Sequence, residues 1–216
     1  MTTFKMTRRS IGRIVASAPL MVLTLLGAAA GIPVAAADGC PDAEVVFARG
    51  TGEPVGVGGA GQAFIDSLTT QVPGKSVNVY PVNYPATNDY ANSAKAGAGD
   101  EVAHVQTTVA SCPKTKVVLG GYSQGAGVAD ITSHQLSPQI ASHVAAVALF
   151  GNPQSNYSKQ LSDNQIPAID PNYSPKTIDI CLPDDEICAE GGNIIAHLGY
   201  VPVATDQAAS FVAGRL

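Results

Sequence analysis

No C-x-x-C pair, internal repeat, low-complexity segment or second-domain linker occurs in the 216 residues. Together with 45% hydrophobic and 13% charged residues, this leaves one globular domain with a full-sized core and excludes a long disordered tail. Cations are scarce, 12 Lys plus Arg against 17 Asp plus Glu. Four of the 12 (Lys5, Arg8, Arg9, Arg13) lie in an acid-free leader, so the other 8 face all 17 acids, a balance of roughly -9. Such a surface repels phosphate backbones, which excludes nucleic acid as a partner. Without C-x-x-C spacing the four cysteines do not read as a zinc site, and no metal or organic cofactor is expected.

Residues 1–37 read as a secretion signal: a basic start through Arg13, an uncharged run from Ile14 to Ala37, and Ala35-Ala36-Ala37 as a small-residue cleavage site. Pro19, Gly27, Gly31 and Pro33 interrupt the run and no basic stop-transfer cluster follows, which argues against a permanent membrane anchor. Thr7-Arg8-Arg9-Ser10-Ile11 loosely matches a twin-arginine signal, so the route of export stays open. Residues 38–216 then form the exported domain, secreted or retained at the cell envelope. An oxidising compartment favours disulfides, and four thiols allow three pairings. Sequence arithmetic favours one, because Cys181 and Cys188 close a loop of about seven residues while Cys40 and Cys112 each precede a predicted strand. The loop-entropy model gives roughly 4 kcal/mol for the long closure and roughly 2.4 kcal/mol for the short one.

The order of elements predicts an α/β domain. Ala43 to Ala48 is a strand, feeding a loop from Arg49 to Gly61 that holds six Gly and one Pro. Ala63, Phe64, Leu68 and Val72 recur at near-helical spacing up to Pro73-Gly74, and Ser76 to Val82 is a second strand. Helices are predicted over Asp100 to Ala110, Ala126 to Leu136 and Asp206 to Ala213, and strands over Thr115 to Leu119, Val144 to Phe150 and Lys176 to Ile180. Residues 151–175 read as loop, and a short segment lies around Ile194 to Leu198. This alternation implies a parallel sheet covered by helices on both faces, with ligands beyond the carboxyl ends of the strands.

Gly121-Tyr122-Ser123-Gln124-Gly125 satisfies G-x-S-x-G, with a strand before it and an alanine-rich helix after it. A serine on such a turn takes a strained backbone, and flanking glycines let the neighbouring chain approach. Its hydroxyl needs a base oriented by a carboxylate. Of the four histidines, His104 and His134 fall within predicted helices and His143 precedes a strand, at the wrong edge. His197 follows the last strand and can reach the edge of Ser123. In this architecture the acid lies between serine and histidine, where Asp184, Asp185 and Glu186 sit inside the Cys181–Cys188 loop. Spacing alone does not choose between Asp184 and Asp185. Gln124, as the residue after the nucleophile, and Thr51, leaving the first strand, are the candidate oxyanion donors. Gly56-x-Gly58-x-x-Gly61 also fits a dinucleotide fingerprint, but six residues separate it from the strand and no acid closes the second strand. Tyr84, Ile194 and Ile195 are expected to border an apolar acyl groove.

Phe47-Ala48-Arg49-Gly50-Thr51, Gly120-Gly121-Tyr122-Ser123-Gln124-Gly125 and Cys181-x3-Asp185-x2-Cys188 followed by His197 together resemble the cutinase family of secreted serine esterases, in particular its actinobacterial, mycobacterial-type members. The resemblance implies a compact lidless α/β-hydrolase with a mostly parallel five-stranded sheet. It implies Ser123 as nucleophile, His197 as base, Asp185 as its orienter, Thr51 and Gln124 as the oxyanion hole, and Cys40–Cys112 and Cys181–Cys188 as disulfides. Thr51 stands where fungal cutinases commonly carry serine, and the hydroxyl is kept. The expected activity is hydrolysis of carboxylic esters of short to medium acyl chains, lipids or polyesters among them, by a monomer. The rivals are an acyltransferase or thioesterase of the same fold and a non-catalytic lipid-binding surface protein.

Overall fold

The computed structural model describes residues 1–3 and 39–216. The expected leader, residues 1–37, and its cleavage site lie outside the described residues, apart from residues 1–3. Five strands, β1 (Ala43–Ala48), β2 (Val77–Pro81), β3 (Lys116–Tyr122), β4 (Val144–Phe150) and β5 (Thr177–Ile180), pair in the order β2-β1-β3-β4-β5. Every neighbouring pair is parallel. The central strands are almost wholly apolar (AEVVFA, KVVLGGY and VAAVALF) because both of their faces are covered.

Alternate residues of these strands feed two cores. Val46, Leu119, Val147 and Leu149 pack with Ala94, Ala98, Val128 and Ala129 of α2 (Tyr90–Ser111) and α3 (Gln124–Gln135) on one face. On the other, Val45, Phe47, Val118 and Phe150 meet Phe64 and Leu68 of α1 (Gly58–Gln71) and Ala208 and Val212 of the last helix. That last helix spans Val203–Ala213 and follows two four-residue turns of helix, Pro138–Ala141 and Ile194–His197, and a six-residue one, Asn156–Leu161. A 3-10 segment, Pro171–Lys176, leads into β5. The strand order reverses between β1 and β3, so the loops leaving those two strands diverge to opposite sides and open a crevice at their carboxyl ends. Thr51 and Ser123 sit on those two loops.

The expected α/β class and parallel sheet hold, and β1 and β4 have the expected bounds. Two helices begin earlier than expected. The segment Tyr90–Asp100 is Ala, Gly and Ser-rich and lacks apolar periodicity, yet it is helical because small residues permit close packing: a Cβ on Gly97 would come within 2.8 Å of Val128. Helix α1 starts at Gly58, inside the glycine-rich loop, where the Glu53 carboxylate accepts a bond from Gly59 N–H. Both expected disulfides are present: Cys40–Cys112 joins the segment before β1 to the end of α2, and Cys181–Cys188 closes the loop after β5.

Glu101 of α2 is wholly buried, one carboxylate oxygen accepting from the Thr132 hydroxyl at 2.6 Å and the other unpartnered. Burial pushes its carboxyl up to about 8. The folded state therefore keeps Glu101 protonated where the unfolded chain ionises it, so this stability is complete below about pH 4.5 and drains away as pH rises toward 8. Between pH 5 and 8.5, Glu101→Gln should lose about 4 kcal/mol less stability than the wild type in urea unfolding. Equal losses would contradict a buried neutral acid.

Candidate active site

Ser123 joins β3 to α3 with φ 57° and ψ -123°, a conformation a side-chain-bearing residue adopts only when its surroundings enforce it. The enforcement is visible in its neighbours. A Cβ on Gly121 would lie 2.1 Å from the Gly125 carbonyl oxygen, and one on Gly125 would lie 2.0 Å from that of Ala48, so both positions require glycine. Ser123 N–H donates to Phe150 O at 2.8 Å, tying the turn to the end of β4. Gln124, the first residue of α3, is buried. Its side-chain amide donates to Thr87 O at 2.8 Å and its Oε1 accepts from the Ser93 hydroxyl at 2.9 Å, which leaves its backbone N–H as the group able to serve a ligand.

His197 ends the short helix Ile194–His197, whose start is capped by Asn193 Oδ1 accepting from Ile195 and Ala196 N–H. Its Nδ1 lies 2.8 Å from Asp185 Oδ2, and its Nε2 is buried without a partner. Asp185 is fully buried and also accepts from Tyr200 OH at 2.6 Å and from Ile187 N–H at 2.9 Å. Burial on its own raises the Asp185 carboxyl, but the bonds from His197, Tyr200 and Ile187 outweigh it and hold the group below its ordinary value. The spacing ambiguity resolves here: Asp184 is exposed with φ 63°, while Asp185 faces the imidazole. The loop carrying Asp185 is held twice, by its disulfide and by Ser155 and Ser158 hydroxyls donating to Glu186 O and Ile187 O, each at 2.6 Å.

Three supporting residues were not visible from spacing. Tyr200 completes the carboxylate. Tyr122, the variable residue inside G-x-S-x-G, stacks on the His197 ring at 4.8 Å and donates to His197 O at 2.8 Å. Gly151 has φ 57° and a Cβ there would sit 2.5 Å from the imidazole, so the position requires glycine on both counts. Only Tyr122 carried a signal, its place beside the serine. None of the other three histidines lines the cavity of Ser123 and His197: His104 stacks on Tyr80 and meets Glu44 at 3.0 Å, His134 meets Ala168 O at 2.8 Å, and His143 directly precedes β4.

Thr51, Ser123, His197, Tyr200 and Glu53 line one cavity of about 550 Å³, with Ile187, Ile194, Leu198 and Val201 as its apolar wall. The Thr51 hydroxyl is buried and has no partner. Of the three residues expected to border an acyl groove, Ile194 lines this cavity. Tyr84 does not: it is 5% exposed, packs in the core and donates its hydroxyl to Arg49 O, and Ile195 projects to solvent. No group of three or more His, Cys, Asp or Glu able to hold a metal ion occurs among the described residues.

The cutinase family model matches residues 39–216. The chain belongs to the cutinase family. It is 54% identical to the carboxylesterase Culp1 of Mycobacterium tuberculosis over 98% of both chains. To the phospholipase Culp4 of the same species it is 46% identical over 96% of this chain and 92% of the relative. Among solved structures, a Trichoderma reesei cutinase in complex with a phosphonate inhibitor aligns with TM-score 0.68 at 36% identity, covering 81% of this chain and 76% of that one. An acetylxylan esterase aligns with TM-score 0.71 at 25% identity over 82% and 99%. The cutinase-family chain is thus an α/β-hydrolase and a serine ester hydrolase.

Tyr200→Phe removes one of the bonds that depress the Asp185 carboxyl. That depression stabilises the fold above the ordinary carboxylate range and is lost as pH falls through the folded value. Urea unfolding of Tyr200→Phe should therefore show a deficit of about 1–3 kcal/mol at pH 7 that narrows below pH 3.8. A deficit independent of pH would mean that the tyrosine contributes only packing.

Proposed function

We propose that this cutinase-family esterase is exported and hydrolyses carboxylic esters of short to medium acyl chains through Ser123, His197 and Asp185. The observation that carries the reading is an imidazole bound through Nδ1 to a buried carboxylate, with its Nε2 unpartnered on the same cavity as a serine held in a strained turn. His197 Nε2 takes the Ser123 proton as Oγ attacks the ester carbonyl. Asp185 keeps the imidazole in the tautomer that exposes Nε2 and stabilises the imidazolium that forms. The tetrahedral oxyanion is received by the Gln124 backbone N–H, at the positive end of α3, and by Thr51, whose hydroxyl is otherwise unsatisfied. His197 returns the proton to the departing alcohol, and water, activated the same way, releases the acid. No step requires a metal or organic cofactor.

An apolar wall of Ile187, Ile194, Leu198 and Val201 supports an acyl or lipid substrate, as the names of the carboxylesterase and phospholipase relatives also suggest. Export is supported by two disulfides with no free cysteine among the described residues, and no described helix is long and apolar enough to cross a membrane. The domain of residues 38–216 acts as a monomer in this reading.

Ser123→Ala should lower p-nitrophenyl butyrate turnover by about 10⁴-fold or more while leaving the unfolding midpoint within the range of a surface substitution. A p-nitrophenyl alkylphosphonate should label the wild type once per chain, at Ser123. Retained turnover, or a label elsewhere, contradicts the mechanism. Product partitioning to an added alcohol rather than to water would identify an acyltransferase instead.

A further inference from the structure

The loop leaving β1 must hold Thr51 against the carbonyl that Ser123 attacks, yet it is rich in glycine and contributes no strand or helix until Gly58. What fixes it is the side chain of Glu53. Residues 50–53 form a turn closed twice by this one residue: Glu53 N–H donates to Gly50 O at 3.3 Å, and Glu53 Oε2 accepts from Gly50 N–H at 2.6 Å. Thr51 lies inside that turn. The other carboxylate oxygen, Oε1, accepts from Gly59 N–H at 2.8 Å in the first turn of α1, a helix with no side-chain cap at its own N-cap residue, Val57. The chain at Gly58 bends around the carboxylate with φ 72°, and a Cβ there would lie 2.2 Å from Glu53 Oε2. The Glu53 carbonyl in turn accepts from Arg49 Nε at 2.8 Å, so the turn is anchored to the end of β1 as well.

Glu53 also lines the cavity of Ser123 and His197, where it is the one carboxylate among the lining residues. A carboxylate in that place contributes nothing to attack or proton transfer in the proposed reaction, because it has no role for the serine proton and would repel a developing oxyanion. Its two oxygens are spent on backbone N–H groups at the two ends of the loop. We propose that Glu53 is a positioning residue: its carboxylate spans Gly50 and Gly59 to hold the Thr51 donors where the oxyanion forms. This rests on the proposed role of Ser123 and Thr51. Because oxyanion contacts are stronger in the transition state than with bound substrate, loosening them lowers kcat more than it raises KM.

The test compares wild type, Glu53→Gln, Thr51→Ala and the double variant with p-nitrophenyl butyrate, together with an alkyl trifluoromethyl ketone that forms an anionic tetrahedral adduct on serine. An amide offers one acceptor oxygen, so Glu53→Gln keeps at most one of the two bonds. It should lose about 10- to 100-fold in kcat with KM within about twofold, lose trifluoromethyl ketone affinity in parallel, and have a smaller effect in the Thr51→Ala background. If Glu53→Gln does not fold, Glu53→Asp, which keeps the charge on a shorter arm, is measured in its place with the same expectation. Unchanged kcat, a loss carried by KM alone, or effects that multiply fully with Thr51→Ala would overturn the positioning role. Ser123→Ala run beside them separates the two levels: if that variant keeps turnover, the underlying mechanism fails rather than the role of Glu53.

Discussion

One buried carboxylate organises the carboxyl edge of the sheet. Asp185 is fully removed from solvent, where an unpaired charge would be prohibitively costly, and it is tolerated because an imidazole, a tyrosine hydroxyl and a backbone N–H converge on it. Each of those donors in turn fixes something else. Tyr200 packs edge-on to His197 and Phe150 three residues before the last helix, Ile187 N–H belongs to the disulfide-closed loop, and His197 presents its other nitrogen to the cavity. Satisfying the carboxylate and orienting the proposed base are the same set of bonds.

The opposite wall of the cavity depends on a different economy. At Ser123 the strain of a positive φ is held by glycines that let β1 and α3 approach to near contact, and the helix that follows supplies N–H groups at its start. At Thr51 there is no such rigid element, and a loop of glycines is held from within by a side chain. Tyr122 links the two walls, since its ring lies against Gly50 and stacks on His197. A site assembled from three loops is thereby positioned by the sheet beneath it and by a small number of buried polar bonds around it.

What could be read beforehand follows from which signals are local. The all-apolar runs of β1 and β4 gave their bounds directly, and the glycine pattern around Ser123 located the turn, because both are dictated by neighbours in the chain. The beginning of α2 was hidden because alanines and glycines chosen for close helix packing against Gly97's neighbours carry no apolar stripe. Tyr84 was misread because an aromatic after a strand can as readily turn into the core and bond Arg49 O as face the crevice. The cysteine-loop pattern shared with the cutinase family pointed to Asp185 where spacing did not, but finding Tyr200 and Glu53 requires knowing which side chain a bent loop turns inward. Only tertiary contacts supply that.

The central claim is that Asp185 fixes the protonation of His197 so that Nε2 is free to accept. It is tested most directly by ¹⁵N NMR of the histidine-labelled protein, with His197 assigned by substitution. At neutral pH the account predicts the Nδ1–H tautomer for this ring, and an Asp185→Asn variant should lose that preference. A wild-type His197 found predominantly as the Nε2–H tautomer would contradict it.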